Sequence, residues 1–410
     1  MNSQPAKNGS FPRAEPTPLA ALLGATAAAP ELVAHRGALT PSRLGRLERE
    51  TAALVAGAAV HDLGWLRRVA VGGEDRFRWL NGMVTNTVKD LNANSGAWNL
   101  VLNAQGRIQG DLCVWREADA LELEIAADQY GRLLAHLERF IIMDDVELMP
   151  RSLDAQGALT GETALGLTGP EAAMVLGRLG WRAPAERMTS VGVVWNGVRV
   201  RIDRAYGVLT PHYDLWVMAE WVPALWRALV EAGATPAGAE ALEALRIAEG
   251  IPVYGIDMAE RDLPQETGQT NALSFDKGCY LGQEIVERIR SRGGVHRSLR
   301  QLELFGAVPE AGAELSFGQD VAVGQITSAA ELVLPEGRRC FALGMLRSEA
   351  GLAAWEESAT GGPGQGLLSL TYQVAGGAAT ARVLKAAPAL NVDAAQETGP
   401  ESGGSERMLR

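Results

Sequence analysis

The chain is 410 residues long, which at about 150 residues per domain leaves room for roughly two to three domains. Hydrophobic residues make up 47% and charged residues 21%, ordinary proportions for a globular protein. A formal net charge of -11 argues against a broad electrostatic footprint for nucleic acid or an anionic membrane. Cys113, Cys279 and Cys340 are too widely spaced for a disulfide scaffold and form no CxxC pair. They point to a reducing, cytoplasmic setting. The histidines (His35, His61, His136, His212 and His296) show no HExxH or similar spacing, so no self-contained metal site is expected. No apolar run approaches the ~18–20 residues needed to span a bilayer.

In chain order, residues 1–30 read as a flexible tail. The small apolar run from Leu19 to Ala29 follows Lys7 and Arg13 as a secretory signal would, but Pro12, Pro16, Pro18 and Glu15 stand just before it. Glu31 to Ala59 reads as helical, with Leu44, Leu47, Thr51, Leu54 and Val55 at helical spacing. A strand follows at Leu66 to Val71, a short helix at Asp75 to Leu80, and strands at Ala97 to Leu102 and Ile108 to Trp115 around a turn at Asn103 to Gly106. Leu121 to Ile125 alternates strictly, with Glu122 and Glu124 on the other face, and Tyr130 to Ile142 is an amphipathic helix. Pro170 to Leu179 is a helix with proline in its first turn. Asn196-Gly197 between Val191–Trp195 and Val198–Ile202 is a hairpin signal. Another strand at Leu215 to Met218 precedes helices at Trp221 to Ala232 and Ala239 to Ala248.

After about Ser291 the pattern changes to short strands at Leu299 to Phe305, Val321 to Thr327, Cys340 to Leu346 and Leu367 to Val374, as in a small β-barrel. This divides the chain into a tail at 1–30, a mixed region at 31–295, a barrel at 296–387 and a second tail at 388–410. Strands and helices mix without a regular βαβ repeat, which favours α+β.

The densest candidate for chemistry is Asp276 to Glu284. Two glycines frame Cys279 in a polar loop that leads into a helix from Gln283 to Arg290. A helix N-terminus and Lys277 two residues away both favour thiolate over thiol. The alternative is a small buried cysteine, which is common. For Cys113 and Cys340, each in a strand, that core reading is favoured. Downstream, Arg288, Arg290, Arg292, Arg297 and Arg300 face only Glu287. The patch could meet phosphates or an acidic partner, or be a solvated charged face. The tryptophans do not interleave with it, so a stacking platform for single strands is not supported and direct nucleic-acid binding is not expected.

Lys277-Gly-Cys-Tyr-Leu-Gly-Gln-Glu284 resembles the K-G-C-Y-x-G-Q-E motif of the YgfZ family, folate-binding proteins related to the glycine cleavage T-proteins and tied to iron–sulfur cluster assembly or repair. Arg246 to Pro252, Gly255-Ile-Asp257 and Asp262 to Glu266 resemble the segments before that motif. Trp79-Leu-Asn-Gly82 with Val84-Thr-Asn86, Asn103 to Asp111, and Gly324 to Ser328 resemble further family segments. The matches span roughly residues 45–385.

The resemblance implies a ring of mixed α/β subdomains around a folate cavity, closed by a C-terminal β-barrel. It implies tetrahydrofolate or a derivative as cofactor and iron–sulfur client or assembly proteins as partners, with indirect effects on tRNA modification. It also implies Cys279 and Lys277 as the reactive pair, and Asp111, Asn103, Arg246, Glu249, Tyr280 and Gln283 as folate contacts. The T-proteins, which are tetrahydrofolate-dependent aminomethyltransferases, carry paired aspartates after the Gly-rich turn, and the first is the catalytic one. Here Gly110 stands at the first and Asp111 at the second. Thr210 stands near a glutamate that grips the pterin in T-proteins, and Asp214 keeps the final acid of that segment. Loss of a carboxylate would remove a group that positions or deprotonates the folate amine. These departures favour the YgfZ reading over aminomethyl transfer.

Overall fold

The computed structural model describes residues 14–26, 28–118, 120–292, 294–317, 321–334, 336–347, 369–375, 377–388 and 390. Its main body is an 11-stranded sheet that falls into two halves. One half runs Thr235–Pro236, Ala59–Asp62, Glu162–Thr168, His212–Met218, Val198–Arg204, Thr189–Trp195. The other continues Ser95–Leu102, Ile108–Glu117, Ala120–Ala126, Leu66–Gly72, Glu147–Pro150. The ladder between the halves is the single pair Thr189 with Ser95.

Each half buries its own apolar face under two helices. Val69, Leu112, Val114, Leu121 and Leu123 pack beneath helices Arg76–Met83 and Ala127–Glu138. Leu165, Leu167, Val200, Ile202 and Leu215 pack beneath Ala172–Arg178 and Val222–Glu231. Such one-sided cores are the α+β solution to covering an antiparallel sheet. Strands Arg297–Phe305, Gly337–Arg347, Val321–Leu334, Glu314–Phe317, Ser369–Val374 and Gly377–Val383 close into a six-stranded barrel. The barrel rests on helices Leu47–Ala56 and Ala239–Glu249 through Leu332, Leu334 and Phe341. Among the described residues no helix is long and apolar enough to cross a membrane.

Several expectations need correction. Glu31 to Ala59 is not one helix. It holds a hairpin, Leu32–His35 with Ala38–Pro41, then the helix Leu47–Ala56, then the strand Ala59–Asp62. The chain reverses at Arg36 and Gly37, both at positive φ (50° and 88°). A Cβ on Gly37 would stand 2.4 Å from the Asp128 backbone nitrogen, so only glycine fits that approach. Within the expected N-terminal tail, Pro18–Gly24 is a helix capped by Thr17, with Leu19 in the core. The Tyr130 helix ends at Glu138, leaving Ile142 exposed. Strands Glu314–Phe317 and Gly377–Val383 were not foreseen, and the tail after Leu390 lies outside the described residues.

Glu122 and Glu124 do not face solvent. They meet Arg68, which is 2% exposed, and Arg201 in a charged seam between the two sheet halves. Arg68 donates to Asp203 at 2.7 Å and stacks over Trp216 at 3.9 Å. Arg201 binds Asp203 at 2.5 Å, Glu122 at 2.9 Å, and Glu117. Removing one partner from such a seam leaves buried charge uncompensated. Arg68→Leu is expected to cost about 3–5 kcal/mol of unfolding free energy in urea titrations; a cost within ~0.5 kcal/mol would contradict this account of the seam.

Burial lifts the Glu124 carboxyl to about 7, with Arg68 opposing and Asp203 adding to the shift. A carboxyl raised on folding contributes stability that is complete below its unfolded pKa and disappears as pH rises through its folded one. The window is therefore from the ordinary 4.5 to about 7. Glu124→Gln is expected to flatten the decline of stability across that window, measured by urea unfolding at a series of pH values.

Candidate functional site

Between the sheet halves and helix Ala239–Glu249 lies a cavity of about 240 Å³. Its walls include Arg36, Trp65, Trp98, Asp111, Tyr206 and Arg246. The helix brings its last turn to the cavity because Gly250 ends it in the left-handed conformation (φ 73°), capping the Arg246 and Ile247 carbonyls. Arg246 and Glu249 are thus presented one turn apart at a sharp stop.

Asp111 lines the cavity from strand Ile108–Glu117. Trp98 Nε1 and Gln129 Nε2 each donate to its carboxylate at 3.0 Å. Burial pushes its pKa up, while Gln129, Trp98 and the Arg36 charge pull it back. Strand alternation decides what Gly110 means. A Cβ on Gly110 would stand 2.5 Å from Gln129 Oε1 and 2.9 Å from Leu133 Cδ2, in the packing of helix Ala127–Glu138. The cavity-facing member of the pair is Asp111. The glycine therefore does not remove the carboxylate aimed at the cavity, which corrects the inference drawn from the motif.

Glu249 lines the cavity, whereas Thr210 does not. Its Oε1 accepts from the backbone N–H of Val208 at 3.0 Å, Leu209 at 2.9 Å and Thr210 at 3.4 Å, and from His212 Nε2 at 3.1 Å. Burial would raise this carboxyl, but His212 and the Leu209 and Val208 amides outweigh burial and hold it low. Oε2 has no protein partner. Arg246, by contrast, is already engaged. It bonds Glu243 through Nε at 2.9 Å and through Nη2, the Ile251 carbonyl at 2.6 Å, and Asp257 at 2.7 Å. Asp257 also accepts from Thr327 and Ser328 at 2.6 Å each, tying the barrel to the cavity wall.

The other predicted residues gather elsewhere. Cys279 is exposed and is not part of the cavity lining. The Lys277 ammonium donates to the carbonyls of Asn81 at 2.7 Å, Val84 at 2.7 Å and Asn86 at 2.6 Å. Burial lowers its pKa to about 7, against three acceptors that favour the charged form. Lys277 therefore braces the loop on the turn after helix Arg76–Met83. Gly282 (φ 82°) lies so close to the Asn103 turn that a Cβ would stand 2.6 Å from the Asn103 carbonyl oxygen. The Asn103 side chain is engaged in that turn, accepting from Gln105 N and Arg107 N at 3.0 Å each. Tyr280 is buried beside Trp98, Leu102 and Val286, and burial raises its hydroxyl to about 12. Gln283 opens helix Gln283–Arg292. The basic patch is broken up: Arg297 binds Asp262 at 2.6 Å and Glu266 at 3.1 Å, and Arg290 lies 4.6 Å over Phe275.

Sequence reasoning missed His35, Arg36, His61, Trp98, Gln129 and His212 as cavity residues. No local spacing links them. The one usable sign was Arg36-Gly37, a turn read as helix.

The chain matches the family model described as the GCVT N-terminal domain over residues 40–277. It is 27% identical over 320 residues to an aminomethyltransferase of Halalkalibacterium halodurans, covering 75% of this chain and 84% of that one. It is 24% identical over 300 residues to a putative chloroplastic transferase of Arabidopsis thaliana, covering 72% and 66%. In fold it is similar to the crystal structure of the glycine cleavage system aminomethyltransferase T from Bartonella henselae, with a TM-score of 0.74 at 20% identity, covering 89% of this chain and 95% of that one. The ring of mixed subdomains with a closed barrel is that fold, and with more than half its length matched, the chain belongs to the GCVT N-terminal domain family.

Proposed function

We propose that this chain binds tetrahydrofolate or a derivative in the central cavity and serves iron–sulfur cluster assembly or repair, with Cys279 as its reactive thiol. One observation carries the folate part. Four buried polar atoms on cavity-lining residues have no protein partner: Arg36 Nε, Trp65 Nε1, His61 Nδ1 and Glu249 Oε2. Buried polar groups are ordinarily paired, so unpaired ones on residues that line a cavity are accounted for by a polar guest. Two donors and a carboxylate acceptor suit a pterin ring, whose edge alternates acceptors and N–H groups. Trp98 and Tyr206, with ring centres 5.6 Å apart, offer it flat walls. At about 240 Å³ the cavity is below the roughly 300–1,000 Å³ of sites for drug-sized ligands, so the ring head fits and the glutamate tail stays outside.

In this reading Arg36 and Trp65 donate to ring acceptors, Glu249 accepts a ring N–H, and Asp111 holds an amine proton of the folate. When bound, the folate supplies a one-carbon carrier. Arg246 acts chiefly as a brace joining helix, cavity and barrel through Asp257. The iron–sulfur part rests on the motif and on the placement of Cys279. It is exposed on a loop fixed by Lys277 and by the Gly282 contact with the Asn103 turn, where a thiol can reach a client protein.

A second reading is a tetrahydrofolate-dependent one-carbon transferase. It is supported by Asp111 facing the cavity and by relatives named aminomethyltransferases.

Titration with tetrahydrofolate, followed by tryptophan fluorescence, is expected to show saturable binding that weakens roughly tenfold in Trp98→Ala, the loss of one aromatic wall. Absence of binding would end the folate reading. Cys279→Ala is expected to retain folding and folate affinity while abolishing recovery of iron–sulfur enzyme activity in cells that depend on this protein. Full recovery would remove Cys279 from the function. If the second reading holds instead, the protein forms methylene-tetrahydrofolate from an amine donor and Asp111→Asn loses that activity.

A further inference from the structure

One wall of the cavity carries a continuous chain of side-chain hydrogen bonds. His61 Nε2 lies 2.9 Å from Thr168 Oγ1, Thr168 Oγ1 lies 3.3 Å from His212 Nδ1, and His212 Nε2 lies 3.1 Å from Glu249 Oε1. His61, Thr168 and Glu249 are 3%, 1% and 4% exposed, and the His212 side chain is 18% exposed, so the His61–Thr168 end of the chain is shielded from water and the His212 link less so. Both imidazoles are seated against glycines. A Cβ on Gly166 would fall 1.8 Å from His61 Cε1, and one on Gly207 would fall 2.2 Å from His212 Cδ2.

The chain has one direction. A carboxylate only accepts, so His212 must donate through Nε2 to Glu249. With neutral rings, His212 Nδ1 is then an acceptor and takes the Thr168 hydroxyl proton. Thr168 Oγ1 is left to accept from His61 Nε2–H. His61 Nδ1 is therefore a bare lone pair, buried and without a protein partner, on a residue that lines the cavity. Glu249 sets the proton position on His61 through three successive hydrogen bonds.

We propose that His61, Thr168, His212 and Glu249 form a proton relay in which His61 Nδ1 is the base presented to an N–H or O–H group of the ligand in the cavity. The step balances as a single proton transfer. The ligand N–H or O–H bond breaks, its electron pair stays on the ligand, and the proton bonds to His61 Nδ1. The His61 Nε2 proton passes to Thr168 Oγ1, and the Thr168 hydroxyl proton passes to His212 Nδ1. The positive charge comes to rest on His212 beside the Glu249 carboxylate. Burial, with the His212 charge adding to it and the Asp62 backbone opposing, lowers His61 to about 3, so charge is not held at the receiving end. The ligand side of this proposal rests on the folate reading of the cavity; the direction of the relay does not.

Long-range proton–nitrogen NMR of uniformly labelled full-length protein without ligand is expected to show both His61 and His212 protonated on Nε2. In Thr168→Val, His212 keeps that tautomer and His61 becomes a mixture of two. Thr168→Ser, which restores the hydroxyl, returns His61 to one tautomer and separates the relay from simple packing. His61 protonated on Nδ1 in the unaltered protein, or a tautomer indifferent to Thr168→Val, would overturn the relay. Tetrahydrofolate is then added as the probe. Binding is expected to move the His61 Nδ1 resonance in the unaltered protein, and binding that leaves it unmoved would overturn its role as the base. Failure of tetrahydrofolate to bind would overturn the folate reading, and the tautomer measurements in the free protein would still decide the relay.

Discussion

The structure depends on a seam of buried charge. The two halves of the sheet share one backbone ladder pair, Thr189 with Ser95, and what joins them in depth is Arg68 and Arg201 against Asp203, Glu122 and Glu124. A hydrophobic joint would have served stability as well or better, since the desolvation of paired ions roughly cancels their attraction. Ions do something apolar packing does not, which is to fix a register between two surfaces. Here that register opens a polar space between the halves, and Glu124 and Asp214 belong both to the charged layer and to the cavity lining.

A second node holds the barrel to this arrangement. Asp257 accepts from Arg246, from the Val253 backbone and from both hydroxyls of Thr327 and Ser328. Two neighbouring segments, at Arg246 and at Asp257, and a third about 70 positions further on, which the family resemblance singles out one by one, are thus a single hydrogen-bonded unit. The Cys279 loop is a comparable case. Its lysine fits the carbonyls at the end of helix Arg76–Met83 and just after it, and Gly282 fits the turn at Asn103 to Gly106. Much of the motif around the cysteine therefore specifies loop placement, leaving the thiol itself exposed.

Legibility in the sequence followed the range of the forces involved. The hairpin at Asn196-Gly197 was readable because its turn needs two positive φ angles and the sequence supplies residues that adopt them. Leu121 to Ile125 was readable as a strand from its alternation, but the fate of Glu122 and Glu124 was not. Their partner Arg68 lies more than fifty positions away, and its own strand gives no sign of the pairing. Arg36-Gly37 was misread because helical spacing downstream is a local signal, whereas Gly37's constraint is a backbone of Asp128 arriving from another element.

Composition, periodicity and motif were enough to determine an α+β body, a separate β-barrel and one loop built around Cys279, since each rests on neighbours in the chain. Only the tertiary structure decided which member of the Gly110–Asp111 pair faces the cavity, that Lys277 is a brace, and that His61, Thr168, His212 and Glu249 make one hydrogen-bonded line. Side-chain direction on a strand can be counted from its alternation, but which face becomes the cavity depends on what packs against the other. A relay across four elements has no spacing in sequence at all.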